Sequence, residues 1–135
     1  MSDPATNKRI GVLVVAYNAA STLHRVLARI PPEFRAMVDH ILVSDDASTD
    51  ATYLVGLGYQ STDPDLPITM LRQHQNLGYG GNQKVGYQWA IENDLDVVVL
   101  LHGDGQYAPE HLPAMLAPLI GDTADVVLGL SLIHI

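Results

Sequence analysis

Apolar residues fall along this chain in short unbroken runs that alternate with stretches of helical spacing. Residues 10–16, Ile-Gly-Val-Leu-Val-Val-Ala, form a continuous β-branched-rich run, the pattern of a strand buried on both faces. Polar and small residues 18–21 break it. Ser21 or Thr22 can cap a helix whose apolar positions Leu23, Val26, Leu27 and Ile30 share one face, and Pro31-Pro32 ends that helix. Residues 41–44, extended to 40 if His40 is included, predict a second strand. The polar turn 45–50 then leads into a helix near residues 52–57. Residues 61–67 hold Ser, Thr, two Asp and two Pro and read as a loop. Residues 68–71 predict a third strand, 76–81 are glycine-rich, and a helix is expected from about Gly81 to Asn93, burying Val85, Trp89 and Ala90. Residues 96–101 predict a fourth strand and 124–130 a fifth; between them Tyr107-Ala108-Pro109 opens another helix.

Strands that alternate with helices predict an α/β fold with a mostly parallel sheet covered on both faces. Ligands of such sheets bind at the carboxyl ends of the strands. Tyr17-Asn18, Asp45-Asp46 and the segment from His102 to Tyr107 each follow a strand. Three polar clusters are therefore expected to meet on one rim.

Composition narrows the choices. The chain has 135 residues, 47% hydrophobic and 16% charged, which suits one domain or part of one and excludes a disordered chain. A formal charge of −8 argues against nonspecific binding to DNA or RNA, whose phosphates attract clustered Lys and Arg. It leaves room for a nucleotide, because a bound divalent cation can invert the local field. With no cysteine, disulfides and thiolate metal sites are excluded. The first nine residues show no apolar signal-peptide pattern. The apolar stretches 97–101 and 126–133 are far shorter than the roughly 20 residues of a spanning helix.

The acidic clusters carry the candidate chemistry. Ser44-Asp45-Asp46-Ala47-Ser48-Thr49-Asp50 puts adjacent carboxylates at a strand end, where they repel unless a donor group lies between them. A nucleobase N–H or a ribose hydroxyl is such a donor. Spacing alone equally allows a solvated turn with Asp50 as a helix cap. In His102-Gly103-Asp104-Gly105-Gln106-Tyr107, Asp104 stands between glycines, and its carboxylate with the Gln106 amide oxygen suits a hard cation such as Mg²⁺ or Mn²⁺. An ordinary Asp-Gly turn is the alternative. Asn76-Leu77-Gly78-Tyr79-Gly80-Gly81-Asn82 could cradle phosphate before a helix, but does not match a dinucleotide fingerprint; alone it reads as a connector.

Together these segments resemble family 2 glycosyltransferases with the GT-A fold, a Rossmann-like α/β architecture. Val15-Ala16-Tyr17-Asn18 looks like the family's opening strand and turn. Asp45-Asp46-Ala47-Ser48-Thr49-Asp50 resembles its Asp-Asp-Gly-Ser-Thr-Asp motif, with Ala47 in the place of glycine, and Asn76-Leu77-Gly78 resembles its Asn-x-Gly segment. The usual Asp-x-Asp cation motif reads His102-Gly103-Asp104 here, followed by Gly105-Gln106-Tyr107 as in members similar to dolichyl-phosphate mannose synthases. The resemblance implies nucleotide contacts from Ala16, Tyr17, Asn18, Asp45, Asp46, Ser48 and Gly78, and a metal held by Asp104 and Gln106. His102 is a third candidate ligand, though a rim role suits its nitrogen better, because a hard cation prefers oxygen. It further implies a Mg²⁺ or Mn²⁺ cofactor, a UDP- or GDP-sugar donor, and a lipid phosphate, polysaccharide or other hydroxyl as acceptor. Inversion at the anomeric carbon is implied as well.

The family's catalytic domain is about twice this length, and its second half carries the acceptor site and the base. The expected organisation is a disordered tail at 1–8, a nucleotide-sugar-binding half at 9–129, and a truncated or non-native tail at 130–135. The 135-residue chain is expected to lack turnover by itself, and its parent to act in the cytoplasm or at the cytoplasmic membrane face. A noncatalytic nucleotide-sugar-binding domain on the same fold is the alternative. A Gly-x-Ser-x-Gly hydrolase elbow is absent, and the paired acids of a phosphorelay receiver would follow the first strand, where Tyr17-Asn18 stand instead.

Overall fold

The computed structural model describes residues 8–62 and 67–103. The expected fifth strand, the helix opened by Pro109, and the candidate ligands Asp104 and Gln106 lie outside the described residues. Four strands, β1 (Ile10–Ala16), β2 (His40–Asp45), β3 (Ile68–Arg72) and β4 (Val97–His102), form one parallel sheet in the order β3-β2-β1-β4. β1 is the inner strand with the longest apolar run, and all seven of its residues are buried. This is the burial its pattern predicts.

Helices α1 (Leu23–Ala28), α2 (Pro32–Arg35) and α3 (Thr52–Thr62) accompany one face, and α4 (Gly78–Glu92) covers the other. On the first face Ile10, Val12 and Val14 of β1 pack with Ile41, Val43 and Leu101 against Leu23, Leu27 and Phe34. On the second, Leu13, Val15 and Leu42 meet Trp89, Val98 and Leu100. Alternate residues of each strand thus supply opposite cores. Trp89 is a packing residue, as its place on the helix stripe implies.

Several boundaries move from the expected ones. Pro31-Pro32 ends α1 but also starts α2, with Pro32 in the first turn, where its missing N–H costs nothing. Arg35 of α2 then donates to the Leu27 and Ile30 carbonyls at the end of α1 and to the Tyr59 hydroxyl. Ser61 and Thr62 belong to α3 rather than to a loop. The inward line of α4 is Asn82, Gly86 and Ala90, while Val85 and Trp89 are half-buried beside it. Gly86 allows this approach, because a Cβ there would collide with the Leu13 side chain. Among the described residues no helix is long and apolar enough to cross a membrane.

The edge of the sheet where the strands begin is fixed by carboxylates that accept strand-starting N–H groups: Asp39 from Ile10, and Asp96 from Arg9, each at 2.8 Å. His40 opens β2 there, with Nε2 2.6 Å from Thr69 Oγ1 and its ring tilted on Trp89. Burial first, and the Arg9 charge second, lower its pKa from the ordinary 6.5. The folded chain therefore resists protonating it, while the unfolded chain binds the proton more readily. Its contribution to stability should be complete above about pH 6.5 and be lost as pH falls below that value toward the folded pKa. Thermal melts from about pH 7.5 down to about pH 5 should show a steeper decline for the wild type than for His40→Gln; parallel curves would rule the effect out.

Candidate nucleotide site at the carboxyl edge of the sheet

The register brings the strand ends together: Ala16 of β1 pairs with Asp45, and Val15 pairs with His102. Asp45 and His102 are thus the last residues of their strands rather than the first residues of loops, because the parallel ladder extends through them. The turns that follow are locked to each other. Asn18 donates its N–H to Ser48 Oγ, and its Oδ1 accepts from Thr49 N and Oγ1. Ala19 N–H donates to Thr52 Oγ1 and Ala20 N–H to Asp50 Oδ2. Asp50 also accepts from Thr52 N and Oγ1 at the start of α3, and the Thr52 hydroxyl is the leading cause of its lowered pKa. Asp50 thus holds the first residue of α3 from two positions before it, one residue ahead of the N-cap position expected for it.

Asn18 and Ala47 hold left-handed backbone, with φ of 49° and 57°. Asparagine tolerates that region; alanine does not, and its Cβ there costs about 1–2 kcal/mol. Ala47 occupies the position where the resembling motif carries glycine, and it retains the glycine conformation. Ala47→Gly should therefore raise stability by roughly 0.5–1 kcal/mol, after allowing for the greater chain entropy of glycine in the unfolded state. A urea midpoint that stays put or falls would show the turn to be unstrained.

The paired acids have different environments. Asp45 is fully buried at 0% exposure, and its Oδ1 accepts from the Ser48 N–H and hydroxyl. Among the described residues its Oδ2 has no hydrogen-bond partner; Arg72, whose side chain is 55% exposed, has Nε 3.9 Å away. Arg72 in turn lies over the Tyr53 ring. Asp46, 3% exposed, accepts the Leu77 N–H on Oδ1 at 2.7 Å, and its carbonyl accepts from Asn76 Nδ2. One of its oxygens thus tethers the segment before α4.

That glycine-rich segment is no loose connector. Gly78 takes φ of 78° and begins α4, three residues earlier than expected. Buried Asn82 fastens the helix to the sheet: its Oδ1 accepts from Ser44 Oγ at 2.7 Å and from Gln73 Nε2 at 3.3 Å, and its Nδ2 donates to the Ser44 carbonyl at 2.9 Å. Tyr79 reaches the end of β4, where its ring stacks on His102 at 5.0 Å with planes 8° apart. The Tyr79 hydroxyl and His102 Nε2 are 2.8 Å apart.

These elements enclose a pocket of ≈ 380 Å³. Val15, Ala16 and Tyr17 line it from β1, Asp46 from the acidic turn, Asn76, Gly78, Tyr79 and Asn82 from the α4 side, and His102 from β4. Of the residues expected at a nucleotide site, Ala16, Tyr17, Asp46 and Gly78 are in the lining. Asn18, Asp45 and Ser48 form the hydrogen-bonded rim beside it. Asn76 and Asn82 join from outside the expected set. Asn82 carried a signal, since a polar residue sits in register with Gly86 and Ala90 on the buried helix face. Lys84 on α4 is exposed.

The described residues contain no group of three His, Cys, Asp or Glu that could hold a metal ion. His102 already has Tyr79 on Nε2, so that nitrogen would have to exchange partners to bind a cation. Oxygen donors follow directly in the chain: Asp104 and Gln106 come after Gly103, whose N–H donates to the Val15 carbonyl at the strand end. A carboxylate and an amide oxygen are the donor types a hard divalent ion selects.

Known proteins resemble this chain in sequence and in fold. An undecaprenyl-phosphate mannosyltransferase from Micrococcus luteus is 32% identical over 124 residues, covering 90% of this chain and 47% of that protein. A polyprenol monophosphomannose synthase from Mycolicibacterium smegmatis is 29% identical over 130 residues, covering 94% of this chain and 48% of that protein. The chain thus spans about half the length of these curated relatives. A mannosyltransferase from Pyrobaculum calidifontis, solved in complex with GDP-Man and Mn²⁺, superimposes with a TM-score of 0.69 at 25% identity, over 84% of this chain and 32% of that one. The α/β fold is accordingly of the GT-A type anticipated from the motifs. Residues 11–134 match the family described as Glycosyl transferase family 2, and the chain belongs to that family.

Proposed function

We propose that this chain is the nucleotide-sugar-binding half of a metal-dependent glycosyltransferase that moves a sugar from a nucleotide diphosphate to a lipid phosphate. The observation that carries the reading is the Asp45 carboxylate, fully buried at a strand's carboxyl end with one oxygen lacking a donor among the described residues. A buried acceptor left unpaired costs about 1–3 kcal/mol, and a nucleobase N–H is a donor that would remove the cost. Asp46 keeps its second oxygen for a ribose hydroxyl while its first holds the Leu77 N–H. Ala16, Tyr17 and Gly78 give the ligand its walls.

Asp104 and Gln106 would hold a divalent cation. When bound, that ion neutralises charge developing on the departing nucleotide diphosphate. The Mn²⁺ and GDP-Man in the Pyrobaculum enzyme support a cation and a nucleotide-sugar donor. The names of the two polyprenyl-phosphate relatives support a lipid phosphate as acceptor. Inverting stereochemistry and action at the cytoplasmic membrane face complete the proposal.

Calorimetric titration with GDP and with UDP, each with and without Mn²⁺, tests the reading. One nucleotide should bind more tightly with Mn²⁺, and Asp104→Ala should abolish that increment. An unchanged increment in the variant would remove Asp104 from the metal site. No heat with either nucleotide would remove the nucleotide reading itself.

A further inference from the structure

The end of β4 is held from both faces of the sheet. From the α4 face, Tyr79 stacks on His102 and places its hydroxyl 2.8 Å from Nε2. From the α1 face, Thr22 Oγ1 donates to the Gly103 carbonyl at 2.6 Å, with a longer contact of 3.3 Å to the Ala19 carbonyl. Between them the Gly103 N–H donates to the Val15 carbonyl at 2.8 Å. Alternation along β4 explains the geometry. Val97, Val99 and Leu101 belong to the α1-side core, Val98 and Leu100 to the α4-side core, so the next side chain, His102, points toward α4.

The Thr22 contact is unusual for its position. Thr22 is the N-cap residue of α1 yet makes no side-chain capping bond. A threonine there ordinarily stabilises its helix by about 1 kcal/mol through that bond. Here the hydroxyl is turned away from α1 to a carbonyl 81 residues distant in sequence. The space under Gly103 is equally restricted, since a Cβ there would stand 3.0 Å from the Ala16 Cβ.

We propose that Thr22 and Tyr79 are positioning residues that clamp His102-Gly103 from opposite faces, fixing the wall of the pocket from which the chain runs on to Asp104. This rests on the nucleotide and metal reading above. A clamp of this kind acts on cation affinity through the backbone rather than by touching the ion. Thr22→Val removes the hydroxyl at constant shape, Thr22→Ser keeps it, and Tyr79→Phe keeps the ring but loses the hydroxyl.

Free and bound Mn²⁺ are counted by electron paramagnetic resonance in the presence of GDP or UDP, well below the melting temperature. Thr22→Val and Tyr79→Phe should each weaken Mn²⁺ binding by about tenfold, as loss of groups that orient metal ligands does elsewhere. Thr22→Ser should restore it, and nucleotide affinity measured without Mn²⁺ should be unchanged in the two Thr22 variants, since Thr22 lies outside the pocket lining. A purely structural role would lower the melting temperature and leave Mn²⁺ affinity alone, and that result overturns the clamp. If Asp104→Ala abolishes Mn²⁺ binding while Thr22→Val and Tyr79→Phe do not alter it, the clamp fails and the metal reading survives. If Asp104→Ala has no effect, the metal reading fails first.

Discussion

Asp45→Asn is expected to weaken nucleotide binding by roughly 10- to 100-fold, the worth of a hydrogen bond to a charged group, while making the ligand-free chain more stable. The two effects have one cause. Asp45 is buried with Oδ1 satisfied by Ser48 and Oδ2 without a donor among the described residues. Asparagine keeps the shape and can keep the Ser48 bonds on its oxygen. It removes the carboxylate whose burial opposes folding. Arg72 offsets little of that opposition, because its guanidinium is 55% exposed and 3.9 Å away, and exposed partners contribute weakly. The gain in stability should be about 1 kcal/mol or more, seen as a higher melting temperature without ligand. With saturating nucleotide the order reverses, since ligand stabilises most the form that binds it more tightly. If Asp45→Asn melts lower and binds as before, the carboxylate is a strut of the turn and not a ligand group.

A site that is unstable until filled is a common cost of function, and the same turn shows it twice. Ala47 is strained in a left-handed conformation between two buried carboxylate-bearing neighbours and Ser48. The five hydrogen bonds from the turn after β1 to the acidic turn and the start of α3 hold that strain in place. The chain invests local stability in the positions of Asp46, which lines the pocket, and of Asp45, buried beside it.

How much of this was readable from the residues depended on which force dominates each segment. β1 was legible because burial on both faces leaves no room for a polar residue in Ile10–Ala16. β2 and β4 were legible but one residue short at their carboxyl ends. Asp45 and His102 are polar, so hydropathy ends the strand before them, whereas the backbone ladder with Ala16 and Val15 includes them. α2 was hidden because Pro31-Pro32 signals a stop, and only the tertiary seat of buried Phe34 shows that the second proline also makes a start. The beginning of α4 was hidden by its glycines, whose low helix propensity is overridden by the Asp46 and Asn82 anchors. The convergence of the acidic turn with the end of β4 followed from the rule for parallel sheets. The partners of Asp46, Thr22 and Tyr79 did not, because hydrogen bonds between residues dozens of positions apart leave no periodic trace.

Asn82 is the hidden residue with the largest expected effect on the fold. Asn82→Ala removes the acceptor of the Ser44 hydroxyl, the side-chain donor to the Ser44 carbonyl and one of two acceptors of Gln73 Nε2, which keeps its 3.1 Å bond to Ser44 Oγ. Two of the three bonds lie in a buried site, where an unmet polar group costs about 1–3 kcal/mol. The summed loss should be about 3 kcal/mol, a large share of the roughly 5–15 kcal/mol that a domain possesses. It should appear in urea as a lower midpoint at unchanged slope. Ser44→Ala is milder, near 1 kcal/mol, because Gln73 Nε2 still donates to Asn82 Oδ1. In the double variant the stranded hydroxyl is gone, so the combined loss should fall short of the sum by about 1 kcal/mol. Strict additivity would mean that Ser44 and Asn82 do not act as a pair. The same loss should reach the pocket, which Asn82 lines. Freed from Ser44, the first turn of α4 no longer holds Tyr79 against His102, and nucleotide affinity should decline at temperatures where the fold is intact.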